Sequence, residues 1–195
     1  MTPDSGQSAS SRAGARTTPT LYLVRHGKAM NRTRWDAPDS ARPLTKRGIE
    51  QSRLIAGHLL GLVSRPPSRV LSSPAVRCRQ TVEPLAAAAK LDVLETDWLN
   101  EGSDGDDAFE QLRKLTVRLD PSSGKGGPVV ACSHGDVIWT ILARLARLGV
   151  ELGPGADAPK GGVWIIGTTA SRVLGASLFE PDVQRSSRHN GRPQP

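Results

Sequence analysis

Two histidines of this chain each stand between an apolar run and a glycine. Leu21-Tyr22-Leu23-Val24 leads into Arg25-His26-Gly27, and Val129-Val130-Ala131-Cys132-Ser133 leads into His134-Gly135. A buried strand that stops at such a motif sets an imidazole at the carboxyl end of a sheet, where open α/β folds bind their ligands. Arg25 adds a permanent cation beside His26, and Gly27 lets the chain turn tightly with room for a ligand. This pairing suits a histidine that attacks phosphorus while arginine holds the phosphoryl oxygens. His26 and His134 converge if their strands are neighbours. His58 lies next to the apolar face of an amphipathic helix and His189 lies in a polar tail, so both read as structural or solvated.

A second strand ends in Ser72-Ser73-Pro74, followed by Ala75-Val76-Arg77-Cys78-Arg79-Gln80-Thr81. Arg77 falls in the first helical turn, where free backbone N–H groups already favour an anion. Arg79 is off that face and reads as a surface residue. The polar segment 27–44 is long enough to be a functional loop. It offers Arg32, Arg34 and Arg42 as further anion contacts. Trp35 could stack on a base or sugar or simply pack the loop.

The elements that must position these groups follow from pattern and punctuation. Strands are predicted at 21–26, 68–72, 92–97 and 128–133. Thr45 caps a helix whose inner face carries Ile49, Ser52, Ala56, Leu59, Leu60 and Val63. Ser73 caps a second helix that starts on Pro74 and runs to about Ala89, with Pro84 expected to kink or break it. A third helix spans 106–119, and a Ser/Gly/Pro loop spans 121–127. A fourth helix turns Val137, Ile138, Ile141, Leu142, Leu145 and Leu148 inward. Val163–Ile166 and Arg172–Phe179 flank a turn and form a hairpin. The predicted architecture is a three-layer α/β/α sandwich: a mainly parallel mixed sheet with an antiparallel edge hairpin.

Composition excludes several classes. Hydrophobic residues make up 37% of the 195. Residues 1–18 and 181–195 lack apolar runs and are expected to be disordered, leaving one domain over 19–180. No stretch suits a signal peptide or a membrane span, so a cytoplasmic protein is expected. Of the net charge of +7, the tail holds +2 and the head +1, and the rest is spread along the body. With one Tyr and two Phe there is little for bases to stack on, so an anionic small ligand is favoured over nucleic acid. Cys78 and Cys132 have no zinc spacing and read as reduced core thiols. No metal or cofactor is expected.

Arg25-His26-Gly27, Ser73-Pro74-x-x-Arg77-x-x-Gln80-Thr81, Glu101 and Ser133-His134-Gly135 occur in the order and spacing of the histidine phosphatase (phosphoglycerate mutase-like) superfamily. The resemblance covers about residues 20–180. Arg42-Pro43-Leu44-Thr45-x-x-Gly48 is similar to the small phosphohistidine-phosphatase branch. Lys28-Ala29, Arg32-x-Arg34-Trp35 and Pro159-Lys160-Gly161-Gly162 resemble the phosphatase half fused to Nudix hydrolases, and no Nudix half is expected among these residues.

The resemblance implies that His26 is a nucleophile forming a phosphohistidine, with Arg25, Arg77 and His134 on the phosphoryl oxygens. Gly27 and Gly135 would keep the pocket open, and Glu101 would be the general acid. A pKa raised by burial would help that role; the other reading is an exposed loop glutamate near Asp104, Asp106 and Asp107. The resemblance further places Arg32 where mutase relatives commonly carry Asn, with Asn31 displaced by one. The long insertions of mutases are missing, so hydrolysis of a phosphomonoester is expected. The alternatives are a protein phosphohistidine phosphatase, mutase-like transfer and a non-catalytic phosphate-binding module. The partner would be a phosphorylated small molecule or a phosphohistidine protein, and the assembly a monomer or a homodimer paired through the hairpin edge.

Overall fold

The computed structural model describes residues 19–62, 66–117, 127–153, 156–168 and 173–183. The expected head, most of the tail with His189, Val63, and the predicted turn between the hairpin strands lie outside these residues, as does nearly all of the 121–127 loop. In chain order the elements are β1 (Pro19–Arg25), α1 (Lys46–Leu62), β2 (Arg69–Ser72), α2 (Val76–Ala89) and β3 (Val93–Glu95), then α3 (Gly105–Val117), β4 (Val129–Ser133), α4 (Gly135–Arg147), β5 (Val163–Thr168) and β6 (Val173–Phe179).

The strands form one sheet in the order β3-β2-β4-β1-β5-β6. β3, β2, β4 and β1 run parallel, while β5 is antiparallel to β1 and β6 antiparallel to β5. β1 and β4 are direct neighbours with Arg25 opposite Ser133, so His26 and His134 leave the sheet at the same level. The parallel strands also explain the apolar runs. Period-2 alternation sends Leu21, Leu23, Leu71, Val129, Ala131 and Trp164 to one face, against α3 and α4. Tyr22, Val24, Val70, Val130, Cys132 and Val163 go to the other, against α1 and α2. Both faces are covered, so each strand is apolar throughout. This is the predicted three-layer sandwich with its antiparallel edge.

Several local expectations are corrected. The face that α1 buries is Ser52, Ile55, Ala56 and Leu59, with Leu60 half-buried; Ile49 is 39% exposed. Leu148 falls just past α4 and is 59% exposed, because the helix ends before it can turn inward. Pro84 does not break α2, which continues to Ala89. Val82, Leu85 and Ala86 keep one buried stripe on both sides of the proline, and that packing outweighs the single backbone hydrogen bond it removes. The 27–44 segment is not structureless: it holds two short 3₁₀ turns, Arg32–Arg34 and Asp39–Ala41, and an antiparallel bridge between Ala29 and Leu44. Thr45 does cap α1, since its Oγ1 accepts from the Gly48 N–H at 3.2 Å. His58 stacks on Phe179 with ring centroids 3.6 Å apart, a packing role.

Burial sets an expected cost. Ile141 is fully buried between α4 and the sheet. Ile141→Ala lowers unfolding free energy by about 2–5 kcal/mol. Ile49→Ala costs under roughly 0.5 kcal/mol, as exposed sites do. The urea midpoints of the two variants, at unchanged slope, check the pair.

Candidate active site

The carboxyl ends of β1, β2 and β4 converge on one cluster. The His26 backbone N–H donates to the Ser133 carbonyl at 3.1 Å, which locks the end of β1 to the end of β4. The two imidazoles follow, with ring centroids 5.2 Å apart and planes at 62°. His26 is buried, and its Nδ1 lies 2.8 Å from the Gly27 carbonyl. A carbonyl only accepts, so Nδ1 carries the proton and Nε2 keeps a free lone pair. Burial, then the charges of His134, Arg77 and Arg25, hold the His26 pKa down to about 3, against the raising pull of the Gly27 carbonyl. The ring is therefore neutral at any physiological pH.

That value has consequences of definite sign. The unfolded chain, with an ordinary histidine, binds a proton near pH 6.5 that the folded chain refuses until about pH 3. Between those limits the unfolded state holds more protons, so this residue's contribution to stability is complete above pH 6.5 and is lost as the pH falls. The His26 Cε1–H resonance should accordingly stay flat from about pH 8 to pH 5. A midpoint near the ordinary histidine value would contradict the buried neutral ring.

Arg77, the second residue of α2, is 2% exposed and ties the cluster together. Its Nη2 donates to Glu101 Oε2 at 2.7 Å and to His134 Nδ1 at 3.3 Å. Its Nη1 donates to the Asp39 carbonyl at 2.8 Å and pairs with Asp39 Oδ2 at 3.0 Å. His134 accepts at Nδ1, so Nε2 bears its proton and donates to Ser73 Oγ at 2.9 Å. Ser73 in turn donates to Asn100 Oδ1 at 2.8 Å. Ser73 was expected to cap α2 with Pro74 in its first turn, yet the helix begins at Val76 and Ser73 Oγ reaches only the Ala75 N–H before it, at 3.3 Å. The buried imidazole N–H needs that acceptor, and its loss would cost more than a frayed helix end. Cys78 Sγ lies 3.4 Å from the same Nε2. Burial pushes the neighbouring Cys132 thiol well up, so it stays protonated.

Arg25 donates through Nη1 to the Ala158 carbonyl. Its buried Nε has no partner among the described residues. Gly135 makes the room: a Cβ there would sit 2.8 Å from the Arg25 guanidinium carbon. Gly27 does not keep the pocket open as expected. A Cβ on it would meet the Gly48 carbonyl oxygen at 3.0 Å, so its bareness serves the contact between β1's end and α1. The Gly27 N–H is held by Thr81 Oγ1 at 3.0 Å.

Glu101 joins the cluster but is not buried: its side chain is 45% exposed, with Oε2 between Arg77 Nη2 and Arg32 Nη2 at 2.7 and 2.9 Å. Solvent and two guanidinium groups surround it. Gly102, at φ +82°, makes the turn that holds it, and the Gly102 N–H donates to Asp136 in the first turn of α4 at 2.6 Å.

Of the loop residues, Arg32 reaches the cluster through Glu101 and Asp39. Arg42 is buried, giving Nε to Asp39 Oδ1 at 2.8 Å and Nη1 to the Met30 carbonyl at 2.7 Å. Asn31 turns away to cap its own 3₁₀ turn, accepting from Thr33. Trp35 donates to the Pro38 carbonyl and packs the loop. Arg34 is exposed.

Sequence reasoning missed Asp39. It takes Arg42 first, then Arg32 and Arg77, which holds its carboxyl far below the usual carboxylate range. Two acids, Asp36 and Asp39, among Arg32, Arg34 and Arg42 were the available signal. Among the described residues, no group of three or more His, Cys, Asp or Glu side chains could hold a metal ion. Nor is any helix there long and apolar enough to cross a membrane.

Known proteins share this arrangement of elements. An 8-oxo-(d)GTP phosphatase of Mycolicibacterium smegmatis is 29% identical over 167 residues, 84% of this chain and 49% of its own length. The phosphohistidine phosphatase SixA of Escherichia coli is 43% identical over 63 residues, 32% of this chain and 37% of its own. The chain thus spans about half or less of the length of these relatives. A solved structure of the protein histidine phosphatase SixA complexed with tungstate superposes with a TM-score of 0.61 at 26% identity, over 82% of this chain and 94% of that one. The sequence profile of the histidine phosphatase superfamily, branch 1, matches residues 21–118, just over half of the 195. With both histidines and both arginines gathered at one sheet edge and that profile matched, the chain belongs to the histidine phosphatase superfamily (branch 1).

Proposed function

We propose that the chain is a metal-independent phosphatase that hydrolyses a phosphomonoester through a phosphohistidine on His26. The observation that carries this reading is the His26 ring itself: neutral, fixed by the Gly27 carbonyl, with Nε2 free beside two arginines.

In this reading Nε2 attacks phosphorus, and the P–O bond to the leaving group breaks. Arg25 and Arg77 hold the phosphoryl oxygens. His134, held by Ser73 and set edge-on to the His26 ring, lines the same phosphoryl pocket. As the substrate's anion draws Arg77 from it, the Glu101 carboxylate takes up a proton from solvent and passes it to the departing oxygen. As carboxylate it then takes a proton from water, whose oxygen attacks phosphorus and releases Nε2 with the bonding pair. Phosphate leaves, and every group returns to its first state.

The M. smegmatis relative's name, 8-oxo-(d)GTP phosphatase, and the SixA names mark two substrate classes. The acid separates them. An alkoxide leaving group needs a proton urgently, whereas a phosphohistidine's imidazole leaves readily. Glu101→Gln is expected to slow alkyl phosphate hydrolysis by about 10²-fold or more. Hydrolysis of a phosphoramidate should change far less. Equal losses on both would remove Glu101 as the acid. Release of phosphate from a panel of phosphorylated metabolites and one phosphohistidine protein tests the reading as a whole; no turnover of any would overturn it. Two free buried thiols, Cys78 and Cys132, fit a reducing compartment such as the cytoplasm.

A further inference from the structure

An arginine side chain carries five N–H bonds, and in Arg77 four are already in use. Nη1 gives one proton to the Asp39 carbonyl at 2.8 Å and one to Asp39 Oδ2 at 3.0 Å. Nη2 gives one to Glu101 Oε2 at 2.7 Å and one to His134 Nδ1 at 3.3 Å. Only the buried Nε–H has no partner among the described residues. A phosphoryl group gripped by the guanidinium fork needs two parallel N–H bonds, so at least one Nη proton must leave its present partner.

An entering dianion repels the two carboxylates among those partners. Glu101 loses its charge by taking up the proton it later delivers. Asp39 has no such outlet: three guanidinium groups hold its carboxyl far below the usual carboxylate range, and it stays ionised. No step of the hydrolysis uses it. Its Oδ1 takes Arg42 Nε at 2.8 Å and Arg32 Nε at 3.1 Å, and its Oδ2 takes Arg32 Nη2 at 3.2 Å beside the Arg77 bond. The bond to Arg77 can therefore break while the other three keep the carboxylate paired. The side chain is 37% exposed, so water can fill the vacated position. The backbone carbonyl of the same residue goes on holding Nη1. Two tasks are thus divided within one residue: the carbonyl aims the guanidinium, and the carboxylate occupies the proton beside it. Such an acid ordinarily does no more than brace a loop against a helix. This one sits on the arginine whose charge the phosphoryl group needs.

We propose that Asp39 is a built-in competitor for the phosphoryl group: its carboxylate occupies Arg77 in the empty site, gives way when the substrate's anion enters, and returns to hasten the release of phosphate. It thereby sets how tightly the site can hold any phosphate. The inference rests on the phosphatase reading for naming that anion substrate and product. The contest itself is measurable without turnover.

The test is calorimetric binding of orthophosphate to the unsubstituted protein, to Asp39→Asn and to Asp36→Asn. Asparagine keeps the size of the side chain and the backbone carbonyl, and removes the charge. Even with water-like screening, a unit charge about 6 Å from a dianion changes affinity roughly tenfold. Asp39→Asn should accordingly bind orthophosphate about tenfold more tightly at low salt. Asp36→Asn, which removes an exposed acid from the same loop, should stay within about twofold of the parent. A mere brace predicts the opposite sign, because its loss would slacken Arg77 and weaken binding. A second measurement needs no substitution. When the unsubstituted protein is saturated with orthophosphate, the Asp39 Cγ resonance should shift together with the Arg77 Nε–H, while Asp36 Cγ stays in place. Unchanged or weaker binding in Asp39→Asn, a stationary Asp39 Cγ, or no orthophosphate binding by either protein would overturn the proposal. Failure of the phosphatase reading would show separately, as absent turnover in the unsubstituted protein.

Discussion

His26→Ala should reduce phosphate release by at least about 10⁴-fold, the scale of losing a covalent nucleophile. The side chain is buried, yet its deletion should leave the fold intact. Among the described residues its only side-chain hydrogen bond goes to the adjacent Gly27 carbonyl, and a neutral ring leaves no buried charge behind. Circular dichroism and the melting temperature should thus stay close to the parent while turnover disappears. The same residue should be the only one labelled when the enzyme is quenched during turnover of a ³²P-labelled monoester. The label should be acid-labile and alkali-stable, as a phosphoramidate is. Normal activity in His26→Ala, or a label elsewhere, would defeat the mechanism. A merely recognising module would bind phosphate in both proteins and turn over in neither.

Arg77→Ala should lower kcat/KM by roughly 10²–10³-fold, the usual loss for one preorganised donor to a transition-state anion. Stability should suffer much less. Its two carboxylate partners, Asp39 and Glu101, have side chains 37% and 45% exposed, so water can take over their solvation, and the buried His134 Nδ1 loses only a long contact of 3.3 Å. Arg77→Lys should restore little, because a point charge cannot bridge Glu101, Asp39 and His134 as the planar fork does. A second readout isolates the electrostatic part. Arg77 is one of the charges that depress the His26 pKa, so its removal should raise that pKa, although burial, the larger cause, keeps the ring neutral near pH 7. Parallel losses of activity and melting temperature would instead make Arg77 a structural arginine.

Much of the fold was legible because it is written locally. Each central strand is apolar throughout and each helix has one apolar stripe, and these patterns follow from period 2 and period 3.6. Errors fell at helix ends and at Pro84. Whether Ile49 or Leu148 turns inward depends on where the neighbouring layer stops, and no propensity encodes that. The expected Ser73 cap failed for a related reason: its hydroxyl had a better partner, His134, 61 residues away. Glu101 was legible only through family resemblance, since one glutamate in an acidic stretch carries no pattern. The turn at Gly102 leaves it on the rim, between Arg77 and Arg32. Asp39, Asn100 and Gln51 were passed over as ordinary polar residues, and Thr81 entered only as a member of the resemblance motif, with no role. Gln51 meets Lys160 across 109 residues and Thr81 meets Gly27 across 54.

The sequence alone determined which strands are buried, that two of them end in histidine, and that an arginine stands before the first. Those facts reside in side-chain type and spacing, which act over a few residues. Only the tertiary structure decided that β1 and β4 are neighbours and that Asp39 closes the arginine cluster. Hydrogen bonds and ion pairs have a reach of about 3–4 Å, and nothing in a linear order of residues states which distant groups the folded chain brings within it.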